Sequence, residues 1–157
     1  MIGRNTARLQ RLVDDLLLLS RAERPPRVGP ASVEVRLDEV VRSEVESLRP
    51  LAAQRGQRLD LREDPTPVVV LGDREQLDRA VANLLSNATK YTREGGEISV
   101  TLTRTADRAV LRIADTGVGI PESEQDRLFD RFFRASTAAE SGAPGTGLGL
   151  AIVKSLV

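Results

Sequence analysis

The chain has 157 residues, 40% of them hydrophobic and 29% charged, with 23 basic and 23 acidic side chains in balance. That supports one domain with a core plus an appendage, and it offers no global field for nucleic acid, which is not expected as a partner. The absence of Cys and His excludes disulfides, thiolate metal sites and imidazole bases.

Residues 2–23 are predicted to form one helix. Ile2, Leu9, Leu12, Leu16 and Leu19 follow a heptad seam, with Asn5 in the remaining slot. Such a seam needs a partner helix, so self-association through residues 2–23 is expected. Arg4, Arg8 and Arg11 form a basic face, read as solvated in preference to a docking patch. Three prolines and a glycine between Arg24 and Pro30 make a linker and a domain boundary. The expected divisions are therefore 1–24, 25–32 and 33–157.

Val33 to Arg36 alternates as a strand, and Leu37 to Arg55 is predicted to be a helix with Asp38 as N-cap and Gly56 as its stop. Strands follow over Gln57 to Glu63 and Pro67 to Leu71. Gly72-Asp73 caps the next helix, which carries Asn83-Leu84-Leu85-Ser86-Asn87-Ala88-Thr89-Lys90-Tyr91. At about 100° per residue, Leu77, Val81, Leu84 and Ala88 share its buried stripe. Asn83, Asn87 and Lys90 fall on a neighbouring face. Helical Asn is ordinarily a solvated residue, but two amide oxygens one turn apart also suit a hard cation such as Mg²⁺. Lys90 has the charge a phosphate needs.

A hairpin comes next. Ile98, Val100 and Leu102 alternate, Ala106-Asp107-Arg108 turns the chain, and Leu111 and Ile113 alternate again. Asp115 shares their parity, so its carboxylate is expected on the core side of the sheet, where it needs a partner or ligand. Gly117 and Gly119 follow at once and let the backbone approach something flat or anionic. Leu128, Phe129, Phe132 and Phe133 are expected to make a small satellite core. Ala135 to Thr146 is predicted to be a mobile loop or lid. Gly145-Thr146-Gly147-Leu148-Gly149 then enters a helix whose free N–H groups suit a phosphate chain.

Together these segments resemble the ATP-binding catalytic domain of sensor histidine kinases. Asn83-x-x-x-Asn87-x-x-Lys90-Tyr91 resembles the N box, Asp115-x-Gly117-x-Gly119 the first glycine box, Leu128 to Arg134 the F box, and Gly145-x-Gly147-x-Gly149 the second glycine box. Residues 2–23 resemble the second helix of the dimerisation and phosphotransfer hairpin. The resemblance implies a two-layer α/β sandwich of the GHKL (Bergerat) type, with helices on one face of a mixed sheet and one long helix before it. It implies ATP and Mg²⁺ as ligands, with Asn83 and Asn87 at the metal and Asp115 accepting from the adenine amino group. Lys90 and Arg134 would contact phosphate, which with Asn83 makes the implied catalytic set. Tyr91 would flank the nucleotide. Gly117, Gly119, Ile120, Gly145, Thr146, Gly147, Leu148 and Gly149 would line the pocket and lid.

The implied activity is that of a protein-histidine kinase transferring the γ-phosphoryl group. The implied partners are a histidine-containing hairpin and a response regulator, and the parent would be an inner-membrane sensor with this part in the cytoplasm. The family's acceptor histidine has no counterpart, because the chain has no His. Two strands that normally follow the last helix are also lacking, so the chain is expected to be a fragment cut at both ends. A nucleotide-binding module without transfer activity is the first alternative. An ATPase or chaperone of the same superfamily is the second; Asn83 disfavours it, since those enzymes carry at that place a Glu able to act as a base on water.

Overall fold

The computed structural model describes residues 33–156. The helix expected over 2–23, its dimer seam and the linker over 25–32 lie outside the described residues. In chain order the elements are β1 (Val33–Arg36), α1 (Leu37–Gln54), β2 (Arg58–Glu63), β3 (Val69–Gly72), α2 (Arg74–Tyr91), β4 (Glu97–Arg104), β5 (Ala109–Asp115), a 3₁₀ turn (Glu122–Arg127), α3 (Ser136–Glu140) and α4 (Gly149–Leu156). No helix among the described residues is long and apolar enough to cross a membrane.

The sheet is mixed, as expected, and β4 is its centre. It runs parallel to β2, with Leu59 opposite Ile98, and antiparallel to β5, with Ile113 opposite Val100 and Asp115 opposite Ile98. β1 and β3 form a separate antiparallel pair. Ile98, Val100 and Leu102 are buried while Ser99 and Thr103 between and beyond them are exposed, so one face of β4 carries the core. Val40, Val41 and Val45 of α1 and Val81, Leu85 and Ala88 of α2 complete that core from the helical layer. Leu85, at 1% exposure, occupies the place expected of Leu84, which is only half-buried. The two leucines are adjacent, and an ideal stripe does not separate them once α1 and the sheet approach α2 from different sides. A second small cluster joins Leu148, Ala151 and Ile152.

The start of α1 differs from expectation, while its end is stopped at Gly56 as expected. Asp38 is not its N-cap. Arg36 holds that position with no side-chain hydrogen bond capping the helix, and Asp38 lies inside the first turn, buried. Its carboxylate accepts from Arg36 Nε at 2.9 Å and Nη2 at 2.6 Å, and from the Val68 N–H at 3.2 Å. The Val68 carbonyl accepts in turn from the Leu37 N–H. Val68 is thus bound to the start of α1, and β3 begins one residue later, not at Pro67. At the other end Gly56 has φ +62°. Gly56 N–H donates to the Ala53 carbonyl at 3.0 Å and Gln57 N–H to that of Ala52 at 2.9 Å, a Schellman turn. Asp73 caps α2 as expected, accepting from the Glu75 and Gln76 N–H groups.

The Arg36 guanidinium holds the Asp38 carboxyl at about 2, below its ordinary 3.8. A carboxyl whose pKa falls on folding stabilises the fold fully above its unfolded value, and that contribution disappears as pH falls through the folded one. Asp38→Asn is therefore expected to lower stability by about 1–2 kcal/mol at neutral pH. Urea titrations should show this gap closing between pH 4 and pH 2.

Candidate functional site

Three glycines from the two glycine segments are arranged along α2. A methyl group placed on Gly149 would stand 3.3 Å from Asn83 Oδ1. One on Gly145 would stand 2.8 Å from Lys90 Nζ, 3.6 Å from the Tyr91 hydroxyl and 3.7 Å from Arg134 Nε. One on Gly117 would stand 2.6 Å from the Tyr91 carbonyl oxygen and 2.5 Å from Asp115 Oδ1. The clearances at Gly117 and the one from Gly145 to Lys90 Nζ are shorter than a Cβ tolerates, so the backbone comes this close to the helix face because it carries no Cβ. Asn83 to Tyr91 spans about 12 Å of helix. Along that length stand two amides, an ammonium, a phenol and, past the end, a carboxylate.

Asn83, Asn87, Lys90 and Tyr91 are all half-buried, and among the described residues neither amide has a hydrogen-bond partner. Their oxygens are therefore uncommitted and lie one turn apart, which fits the donor set of a hard cation. Lys90 Nζ donates to the Tyr91 hydroxyl at 2.9 Å and lies 4.5 Å from its ring centroid, so the ammonium is held beside Gly145.

Asp115 keeps the parity expected of it but is exposed, not buried against the core. β5 ends at this residue and the chain turns into the first glycine segment, so the carboxylate stands at the rim. Oδ1 accepts from the Gly117 N–H at 2.8 Å, and the Val118 N–H donates to the Tyr91 carbonyl at 3.2 Å. The segment is thus hung between Asp115 and the end of α2. Gly119 has φ +69°, which favours glycine; Ile120 beyond it is exposed.

The segment over 135–146, expected to be bare loop, contains α3 and is tethered at several points. Thr137 Oγ1 donates to the Gly119 carbonyl at 2.8 Å, and the Ser136 N–H to Glu124 Oε2 at 2.9 Å. Arg134 Nη2 donates to the carbonyls of Ala138 at 3.0 Å and Ala143 at 2.7 Å. Arg134 is consequently part of that segment's own scaffold as well as a neighbour of Gly145. Its Nε is buried without a hydrogen-bond partner, as an anion-facing donor would be. Phe132 adopts φ +63° and its N–H donates to the Gly147 carbonyl at 2.9 Å. A Cβ on Gly147 would strike Phe132, which closes this contact to any other residue.

The surroundings of two segments differ from expectation. Leu148 is fully buried in the second cluster, so it can offer a ligand only its backbone; the Thr146 hydroxyl accepts from its N–H at 3.3 Å. The phenylalanines do not form a satellite core, since Phe129 and Phe132 are 43% and 59% exposed. Instead Lys154 and Arg127 lie over the rings of Phe129 and Phe133. Thr137 and Glu124, which tie the lid down, carried no local sequence signal.

Residues 72–157 match the family described as Histidine kinase-, DNA gyrase B-, and HSP90-like ATPase. The sensor-like histidine kinase SenX3 of Mycolicibacterium smegmatis is 38% identical over 147 residues, covering 94% of this chain and 38% of its own length. The chain spans between 20% and 38% of the curated relatives it matches first. The mycobacterial sensor histidine kinase MprB superposes with TM-score 0.66 at 38% identity, over 78% of this chain and 76% of that one. Full-length ShkA, solved in complex with AMPPNP, gives TM-score 0.77 at 28% identity, over 94% of this chain and 30% of that one. With the family matched over more than half of its length and the sandwich fold shared, the chain belongs to the histidine kinase-, DNA gyrase B- and HSP90-like ATPases.

Proposed function

We propose that this chain is the ATP-binding catalytic part of a sensor histidine kinase. It positions Mg²⁺-ATP for γ-phosphoryl transfer to a histidine on a separate dimerisation hairpin. The observation that carries this reading is the alignment of Gly117, Gly145 and Gly149, from two glycine segments, along the Asn83–Tyr91 face of α2. Glycine N–H groups, Lys90 and the unpartnered Arg134 Nε form a donor set of the kind that cradles a phosphate chain. Asn83 and Asn87 would hold Mg²⁺, which when bound neutralises charge on the phosphate oxygens. Asp115 fixes the other end, as an acceptor for an exocyclic amino group of a purine.

The chemistry left to the protein is positioning and electrostatic stabilisation, which dominate phosphoryl transfer. Asn83 and Asn87 are amides and cannot take a proton from water. Residues 83–91 contain no Asp or Glu, which favours holding ATP over hydrolysing it. The chain has no His, so the phosphoryl group must be accepted elsewhere. A histidine-bearing hairpin, a response regulator, self-association through residues 2–23 and attachment of the parent to the inner membrane complete the proposed setting.

Mixing this chain with labelled ATP, Mg²⁺ and a separate histidine-containing hairpin is expected to label the hairpin. An unlabelled hairpin alongside measurable ATP binding would favour a nucleotide-binding module without transfer activity. Asp115→Asn is expected to weaken a non-hydrolysable ATP analogue by about 10-fold or more, measured by calorimetry.

The glycines give a second, graded prediction. Gly117→Ala forces a Cβ against the Tyr91 carbonyl, so stability should fall by about 1–3 kcal/mol, with a clear loss of affinity. Gly145→Ala meets mainly the movable end of Lys90. It should change the melting temperature little and affinity substantially.

A further inference from the structure

We propose that Gln57, with Arg55, is a positioning residue for the nucleotide site, acting from the opposite side of α2. The proposal rests on the ATP-site reading above. Gln57 is 6% exposed. Its Nε2 donates to the Thr89 carbonyl at 2.9 Å and to the Thr92 carbonyl at 2.8 Å. Arg55 Nη1 donates to the Thr89 carbonyl at 2.6 Å, and Nη2 to that of Thr92 at 3.4 Å. The final turn of a helix leaves carbonyls that the helix cannot satisfy. Here they are taken by two side chains from the Schellman turn of α1, more than thirty positions earlier. The Arg55 charge also suits the negative end of the helix dipole.

The carbonyl between those two pairs belongs to the site. Tyr91 O receives the Val118 N–H and lies against Gly117. Thr89 and Thr92 are thus held from the α1 side, while Tyr91, between them, holds the first glycine segment and Asp115. Lys90, in the same turn, holds the position opposite Gly145. A rotation of this turn would displace both ends of the site together, and small misplacements of binding groups are costly.

The orientation of the Gln57 amide has its own cost. Both Nε2 protons go to the helix, and this leaves Gln57 Oε1 buried without a partner, as it leaves Thr92 Oγ1. An apolar residue would avoid that orphan but leave the Thr89 and Thr92 carbonyls to Arg55 alone, the second at 3.4 Å. The backbone repeats the linkage, since Gly95 N–H donates to the Arg55 carbonyl and Arg58 N–H to that of Gly96.

The test uses the whole chain with Gln57→Leu, which keeps the volume and removes both donors, and Arg55→Met. Affinities for ADP and a non-hydrolysable ATP analogue are measured at a temperature where each protein is fully folded. Amide hydrogen exchange at Val118 is followed without nucleotide. Gln57→Leu is expected to weaken both nucleotides about 10-fold and to speed Val118 exchange. Arg55→Met should do the same more weakly, and Arg55→Lys, which keeps a donor for Thr89, should restore near-wild-type affinity. If Gln57→Leu does not fold, the two Arg55 variants decide by the same readouts. A lower melting temperature with unchanged affinity and unchanged Val118 exchange would reduce both residues to stabilising roles and overturn the proposal. Wild-type protein that binds neither nucleotide would instead overturn the ATP-site reading, and the proposal with it.

Discussion

The last turn of α2 ends in carbonyls that the helix cannot satisfy, and much of the structure is arranged around that constraint. Gln57 and Arg55 take those of Thr89 and Thr92 from one side. Val118 takes that of Tyr91 from the other. The first glycine segment is therefore docked onto the same turn that α1 holds down. β4 leaves from directly beyond it and becomes the central strand of the mixed sheet. Core packing of Val81, Leu85 and Ala88 fixes the inner face of α2, and the capping of its end fixes its register against the loops.

That arrangement separates two chemistries along one helix. Near Asn83 and Asn87 the face offers neutral oxygens, suited to a hydrated hard cation. At Lys90, Tyr91 and Arg134 it offers donors and positive charge, brought together around Gly145. At Asp115 it ends in a carboxylate that stands free of the core. On the proposed reading, metal, phosphate and base would be met in sequence by residues within a few turns of each other. The lid contributes its own fastening, with Thr137 on Gly119 and Arg134 on the carbonyls of Ala138 and Ala143. Arg134 consequently joins the segment over 135–146 to the surroundings of Gly145.

The sequence alone carried the identities of these groups well and their surroundings less well. Asn83, Asn87, Lys90 and the glycines sit at local spacings tied to one helix or one turn, so periodicity and motif were enough to find them. The parity of Asp115 was right and its burial wrong, because parity gives a side and not the depth of the layer covering it. Asp38 looked like a cap from its place before an apolar run. Its actual partners, Arg36 and the Val68 N–H, include one thirty residues away that no local pattern announces. Gln57 and Arg55 were unremarkable for the same reason, and the phenylalanines looked like core because composition cannot tell a buried ring from one covered by Lys154 or Arg127.

The central claim is that one face of α2 and the two glycine segments form a single nucleotide site. Amide chemical-shift mapping during titration with a non-hydrolysable ATP analogue and Mg²⁺ tests it most directly. Shifts should concentrate at Asn83, Asn87, Lys90, Gly117, Gly145 and Gly149, with those at the two asparagines lost when Mg²⁺ is omitted. Binding that leaves these amides undisturbed and shifts residues elsewhere would contradict it.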